Sequence, residues 1–276
     1  MGRTAVRAHS LERHKRGSFY LFLAPWLFGF LFMQVTPIVW GFLISLTNRT
    51  AFPIAIKFVG LKNYLELFRD TAVLGSYWVS FVYTVANTLI GVATGFLFAL
   101  LLDRNLPGRG FFRTLLYFPY MIPMVAVGWI FRIFLERDTG FLNIVLLRLG
   151  LIQSGIPFIQ NSPMGSILML SFWQAGWSMI IFLGALSTVP RELYEVATID
   201  GASYWQTLRR ITVPLLRRAF LVILLLRTID AFKAFDILYV MTEGGPGRAT
   251  ESLTLFVYNT GVNNGDVAYA ATAGFA

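Results

Sequence analysis

Five stretches of about twenty residues, 20–46, 79–102, 115–135, 165–186 and 220–241, are almost wholly apolar. Each is long enough to cross a hydrocarbon layer of about 30 Å as a helix rising 1.5 Å per residue. They predict an all-α fold, a polytopic bundle of membrane-spanning helices. Composition agrees, with 56% of the 276 residues hydrophobic and 13% charged, against about 25% charged in soluble domains. A soluble protein with a very large core would have no need of five such windows. A sixth apolar stretch begins at 266 and ends VAYAATAGFA; small apolar residues without a basic stop suggest a last span cut short. The first window is too long for a signal-peptide core and no small-residue cleavage site follows it, so it reads as a span.

Charge supplies the orientation. Thirteen of the 23 Lys and Arg fall in the amino-terminal tail and in alternate loops, among them Arg104, Arg191 and Arg209. Seven fall in the opposite loops, and Arg132, Arg227 and Lys233 lie within spans. The positive-inside bias makes the amino terminus cytoplasmic. Residues 1–17 then form a cytoplasmic basic tail, and 18–276 a transmembrane domain with a cytoplasmic segment at 187–219. The net charge of +9 follows from this asymmetry and from anionic lipid headgroups, so membrane lipid is implied as a partner and nucleic acid is not. With no Cys in the chain, disulfide and thiolate chemistry are excluded. Both histidines, His9 and His14, sit in the tail, so no metal site is expected.

One polar stretch interrupts the apolar pattern, PRELYEVATIDGASYWQTLRRITVPLL, residues 190–216. It reads as two short helices meeting at a glycine. Pro190 suits a first helical position, Glu192 follows where the helix dipole favours an anion, and Leu193, Val196 and Ala197 share a face. Gly201 ends the first helix, Ser203 caps the second, and Pro214 marks the return to the membrane. An interfacial helix on lipid is one reading of such a segment. The acids Glu192, Glu195 and Asp200 favour the other, a knob that docks on a cytoplasmic protein.

Glu195-Val196-Ala197, three residues, Gly201, nine residues, then Ile211-Thr212-Val213-Pro214 resembles the EAA motif of the membrane subunits of binding-protein-dependent ABC importers. Val196 and Val213 depart from the usual Ala and Leu but keep modest apolar side chains. The longer form is similar to the carbohydrate-importer branch. FVGLKNY at 58–64, GRGFFRTLLYFPYMIP at 108–123 and YVMTEGGPGRATESLTLFVYNT at 239–260 also resemble sugar permeases, in the same order. The resemblance implies six transmembrane helices in a bacterial or archaeal cytoplasmic membrane, in a transporter subunit and not an enzyme. It further implies a coupling loop of Glu192, Glu195, Val196, Ala197, Asp200, Gly201 and Ala202. Its implied partners are two cytoplasmic ATPase subunits, a related second permease chain, and an extracytoplasmic solute-binding protein docking on outer loops such as 244–250. No G-x4-G-K-[ST] loop occurs here, so no cofactor is expected on this chain, and ATP and Mg belong to the partner ATPases.

Residues that break span rules are candidates for the solute path. Pro119 and Pro123 flank Tyr120 in the third window, and prolines at membrane depth are tolerated beside a cavity. Trp173, Gln174 and Trp177 offer indoles and an amide, which suit the apolar faces and hydroxyls of sugars; helix packing or an interfacial aromatic belt is the plainer reading. In the fifth window Arg227, Asp230, Ala231 and Ala234 share one helical face, with Lys233 and Asp236 close by. Arg227 with Asp230, Lys233 with Asp236, and Arg132 with Glu136 are spaced to neutralise each other within a helix. An ion-coupled secondary carrier would instead bind a cation near Asp230 and Lys233 and need no ATPase; the absence of a convincing inverted repeat weighs against it. An importer permease for glycerol phosphate-type solutes is a further alternative, since Arg227 suits an anion. An intramembrane enzyme finds no Cys and no His within the spans.

Overall fold

The computed structural model describes residues 19–51, 56–104 and 107–276 and has no named strand among them. The basic tail with His9 and His14 lies outside the described residues. In chain order the helices are α1 (Phe19–Ser45), α2 (Lys62–Leu67), α3 (Thr71–Asp103), α4 (Arg109–Tyr117), α5 (Met124–Phe134) and α6 (Phe141–Arg148). There follow α7 (Pro163–Trp173), α8 (Gly176–Leu186), α9 (Arg191–Ile199), α10 (Tyr204–Thr207), α11 (Arg217–Phe232), α12 (Asp236–Thr242), α13 (Leu253–Tyr258) and α14 (Val267–Phe275). Three stretches are long and apolar enough to cross a membrane, Phe19–Ser45, Thr71–Asp103 and Pro163–Leu186, and the bent pair through α4 and α5 would make a fourth. The chain divides into two compact units, Met1–Arg69 with Val257–Ala276, and Asp70–Phe256.

In the first unit α1 has no buried residue in its most apolar window, as expected of a lipid-facing helix. Its hydrogen-bond ladder widens to a π turn over Leu31–Val35 just before Pro37, where a missing N–H and the ring's clash with the preceding turn forbid a regular continuation. Thr36 Oγ1 donates to the Leu31 carbonyl at 2.9 Å. The loop after α1 is held by the FVGLKNY stretch: Asn63 Nδ2 donates to the carbonyls of Ser45 and Thr47, at 2.9 and 2.8 Å, and Tyr64 OH lies 2.8 Å from Ser45 Oγ. Buried Ala268, Ala270 and Ala273 let α14 come close, and Thr272 Oγ1 donates to the Ser45 carbonyl at 3.1 Å.

The second unit is built on α3, 33 residues long. Asp70 starts it by accepting from Ala72 N at 2.8 Å. Its core joins Val92, Ala99 and Leu102 of α3 to Met179, Phe182, Leu183 and Leu186 of α8, with Leu216 and Ile223. Phe182 packs against Phe96 and Phe220, with ring centroids 5.1 and 4.7 Å away. Against α8, α3 presents Gly95, whose added Cβ would stand 2.4 Å from Ser178 Cβ. Such backbone-close packing by small residues is how apolar helices associate without a hydrophobic drive between them.

Two expected spans are interrupted. The window 115–135 is not one helix: Arg109–Met121 and Met124–Phe134 meet at 98°. Pro119 is the second residue of a 3₁₀ turn over Phe118–Met121, and Ile122, before Pro123, is extended at φ −80°, ψ 133°, the conformation a following proline imposes. The window 220–241 breaks after Phe232 and resumes at Asp236. There Thr254 Oγ1 of α13 donates to the Ala234 carbonyl at 2.8 Å. The 163–186 span also changes course, at Gln174 and Ala175, between α7 and α8.

Candidate functional site

The three interrupted spans and α3 border an open cavity of about 300 Å³, at the small end of ligand sites. Its wall includes Tyr120, Gln174, Trp177, Arg227, Asp230, Ala231 and Ala234, seven of the eight residues expected to share a path. Trp173 stands apart, packed edge-on to Phe131 with centroids 5.5 Å away. Spacing of four would put Trp173 and Trp177 on one face of a continuous helix, but α7 ends between them. Ala231 and Ala234 supply room where larger side chains would fill the space.

Sequence reasoning missed Tyr83, Asn87 and Met124 as wall residues. Asn87 Nδ2 donates to Tyr83 OH at 3.0 Å and to Ser171 Oγ at 2.9 Å. Gln174 Nε2 lies 3.2 Å from Met124 Sδ. The available signal was the run of Ser76, Ser80, Tyr83, Asn87 and Gly91 at spacings of three and four along an otherwise apolar helix, which marks its protein-facing side.

The intrahelical ion pairs that spacing allows in this region, the alternative to solute contact, do not form. None of the ion pairs among the described residues involves Arg227, Asp230, Lys233 or Asp236. Arg227 instead reaches across to α8: Nε donates to Ser178 Oγ at 3.0 Å and Nη2 to the Gln174 carbonyl at 2.8 Å. Arg132 does not pair with Glu136; its Nη1 lies 3.4 Å from Glu243 Oε1 and donates to the Val240 carbonyl at 3.2 Å. Glu136 serves the turn after α5, accepting from Thr139 N, Thr139 Oγ1 and Asp138 N at 2.6, 2.9 and 2.8 Å. Those donors, Thr139's N–H first and its hydroxyl second, hold the Glu136 carboxyl below the usual carboxylate range.

The polar stretch folds as its local chemistry dictates. Pro190 is the residue before α9 and Arg191 its first, one position later than expected. Gly201, at φ 73°, closes α9: its N–H donates to the Thr198 carbonyl at 3.1 Å and that of Ala202 to the Ala197 carbonyl at 2.9 Å. This paired ending needs a left-handed residue, a conformation glycine adopts without cost. Ser203 and Gln206 then cap α10 reciprocally. Beyond α10 a π turn over Leu208–Thr212 leads to Pro214. Of the apolar face of α9 only Ala197 is buried; Leu193, Val196 and Ile199 are exposed. Leu193, Val196, Ala197, Asp200, Gly201 and Ala202 line a groove of about 480 Å³ shared with Gln206 and Arg210, while Glu192 and Glu195 stand exposed on α9.

Residues 87–276 match the family described as binding-protein-dependent transport system inner membrane component. The chain is 34% identical over 245 residues to the trehalose/maltose transport system permease protein MalF of Thermococcus litoralis, covering 87% of this chain and 82% of that one. It also superposes on the crystal structure of a bacterial ABC transporter involved in import of the acidic polysaccharide alginate. The TM-score is 0.83 at 23% identity, over 97% of this chain and 92% of that chain. A second structure of the alginate transporter, bound to its pentasaccharide-loaded periplasmic protein, matches with a TM-score of 0.83 at 22% identity, over 96% and 90%.

Proposed function

Because the chain belongs to the binding-protein-dependent transport system inner membrane components, a transporter subunit and not an enzyme, we propose that it forms the membrane path of a neutral sugar in an ABC importer. The observation that carries this reading is the cavity wall. Tyr120 and Trp177 offer ring faces beside Asn87, Gln174 and the carboxylates of Asp230 and Asp236, and a sugar ring presents an apolar face and a rim of hydroxyls to such groups. Arg227 and Lys233 balance the two carboxylates in formal charge, so the wall carries no net positive charge to draw an anion. That balance favours a neutral solute over a glycerol phosphate. Trehalose and maltose, carried by the Thermococcus relative's system, are of this class.

The knob of α9 and α10 supplies the other half of the reading. Its exposed Leu193, Val196 and Ile199, rimmed by Glu192, Glu195 and Asp200, suit a cleft on a cytoplasmic ATPase subunit. The knob lies between α8 and α11, so moving it moves two walls of the cavity. ATP and Mg are bound by the two ATPase subunits, and a second, related permease chain completes the path. The arginine-rich loops, with the knob among them, face the cytoplasm in this arrangement, and the amino terminus does too. The solute arrives on an extracytoplasmic binding protein.

The test is the complete complex in vesicles with ATP at the knob side, offered radiolabelled maltose, trehalose and sn-glycerol 3-phosphate. ATP-dependent uptake of a neutral sugar, reduced by Trp177→Ala, is expected. Exclusive uptake of glycerol phosphate, or uptake driven by a proton gradient without ATP, would refute the proposal.

A further inference from the structure

Arg227 is a buried cation, 8% exposed, enclosed by protein. Nε and Nη2 are spent on Ser178 Oγ and the Gln174 carbonyl. Its guanidinium carbon lies 5.6 Å from the centre of the Trp177 ring, within cation–π range. Behind it stands Gly91 of α3, where an added Cβ would come 2.8 Å from Cζ and 2.9 Å from Nη1. Gln174 is the residue that ends α7, a place where the helix dipole favours a cation. Every one of these contacts uses the flat, forked shape of guanidinium, and a lysine's single nitrogen could not make them together.

We infer that Arg227 is a positioning residue: seated in the notch left by Gly91, it ties the interruption between α7 and α8 to α11 and holds the Trp177 indole as a wall of the cavity. Its effect on solute passes through Trp177 and rests on the reading of the cavity as a sugar path. Gly91 is the complementary part of the device, since only a residue without Cβ admits the guanidinium. Removal of either part releases the same indole.

The test reads Trp177 directly. The complete complex, labelled with 5-fluorotryptophan and held in lipid nanodiscs without solute, gives a fluorine resonance assigned to Trp177 by its loss in Trp177→Phe. Arg227→Gln and Gly91→Ala should move that resonance to a common position, and the double variant should move it no further. Arg227→Lys, which keeps the charge, should move it as well. Ser178→Ala should shift it by less in the same direction, and Gly184→Ala, whose new Cβ meets no described atom within 4 Å beyond its chain neighbours and its own helix backbone, should leave it in place. Maltose uptake by the Gly91→Ala complex should fall roughly ten-fold, the loss of one charge-assisted hydrogen bond. An unmoved Trp177 resonance in Arg227→Gln or Gly91→Ala, shifts that add in the double variant, or restoration by Arg227→Lys would each overturn the inference. Should Gly91→Ala fail to assemble, Arg227→Gln adds no bulk and decides: a shift supports the clamp and no shift removes it. The resonance is read without solute, so a wild-type complex that carries no sugar would overturn the proposed function and leave the positioning role standing.

Discussion

Replacing Gly95 by alanine tests the contact on which the second unit is built. The new Cβ would stand 2.4 Å from Ser178 Cβ, 3.0 Å from Met179 N and 3.1 Å from the Ala175 carbonyl oxygen. Two of these are backbone atoms, one in α8 and one of the residue just before it, that no rotamer change can move. Ordinary contact is about 3.5–4.0 Å, so α3 and α8 must part by about 1 Å or more, across a core that includes Val92, Met179 and Phe182. Overpacking of this kind costs about 1–3 kcal/mol, while alanine regains about 0.8–1.0 kcal/mol in helix propensity. Gly184→Ala has the same propensity gain and no neighbour within 4 Å, so the difference between the two variants isolates the overpacking. At about 2–4 °C per kcal/mol for a chain of this size, Gly95→Ala should melt roughly 2–12 °C below Gly184→Ala when detergent-solubilised protein is followed by circular dichroism. Ser178→Gly, which removes the nearest atom, should recover part of the gap in the Gly95→Ala background. Equal melting temperatures for the two alanine variants would refute the backbone-close packing of α3 on α8.

Gly201→Ala places a Cβ at φ 73° and should destabilise the knob by about 1–2 kcal/mol. Among the described residues no atom beyond its two chain neighbours lies within 4 Å of that Cβ, so on the proposed reading a greater loss of ATPase co-purification in Gly201→Trp is expected to arise at the docking partner. The pair Arg227→Gln with Asp230→Asn should transport no better than Arg227→Gln alone, because Arg227 is bonded to Ser178 and Gln174 and not to Asp230; recovery of uptake in the pair would restore the intrahelical ion pair. The lowered Glu136 pKa means that its hold on the 138–139 turn is complete above the ordinary carboxylate range and is lost as pH falls through the lowered value. Amide exchange at Asp138 and Thr139, corrected for intrinsic rate, should show protection lost only on strong acidification, and Glu136→Gln should abolish that dependence.

What could be read from the chain follows the range of the interactions concerned. The first and fourth windows, 20–46 and 165–186, coincide within two residues with Phe19–Ser45 and Pro163–Leu186, since hydrocarbon length fixes them. The knob was equally legible, because a glycine end and a Ser-x-x-Gln cap act over a few residues. Helix α3 begins eight residues before the window that announced it, at Thr71. Its first turns carry Ser76 and Ser80, which are buried against protein, and Ser80 Oγ accepts from Leu253 N at 2.7 Å. The alternative of intrahelical ion pairs fails for the converse reason. Spacing sees only a residue's own helix, whereas the partners of Arg227 lie 49 and 53 positions away.

The interruptions and the cavity are one feature. Backbone groups at membrane depth tolerate a broken helix only where protein or a water-lined space satisfies them. Here each break has its own remedy within the second unit. At 119–123 two prolines have no N–H to leave unmade. At Gln174 the carbonyl accepts from Arg227, and at Ala234 it accepts from Thr254. All three breaks border the same cavity, through Tyr120, Gln174 and Ala234, so the helices depart from regularity where a polar wall is required and remain regular where α3 packs on α8 and α11. Replacing Thr254 with the isosteric valine is the sharpest check of this account. It removes one hydroxyl from a carbonyl at the cavity wall, at a cost of about 1–3 kcal/mol if that group stays dry. Loss of uptake with the melting temperature lowered only slightly would show that the Ala234 carbonyl gains water from the cavity when its donor goes. A large fall in melting temperature would show a closed, dry break, and would refute the claim that the interruption opens onto the path.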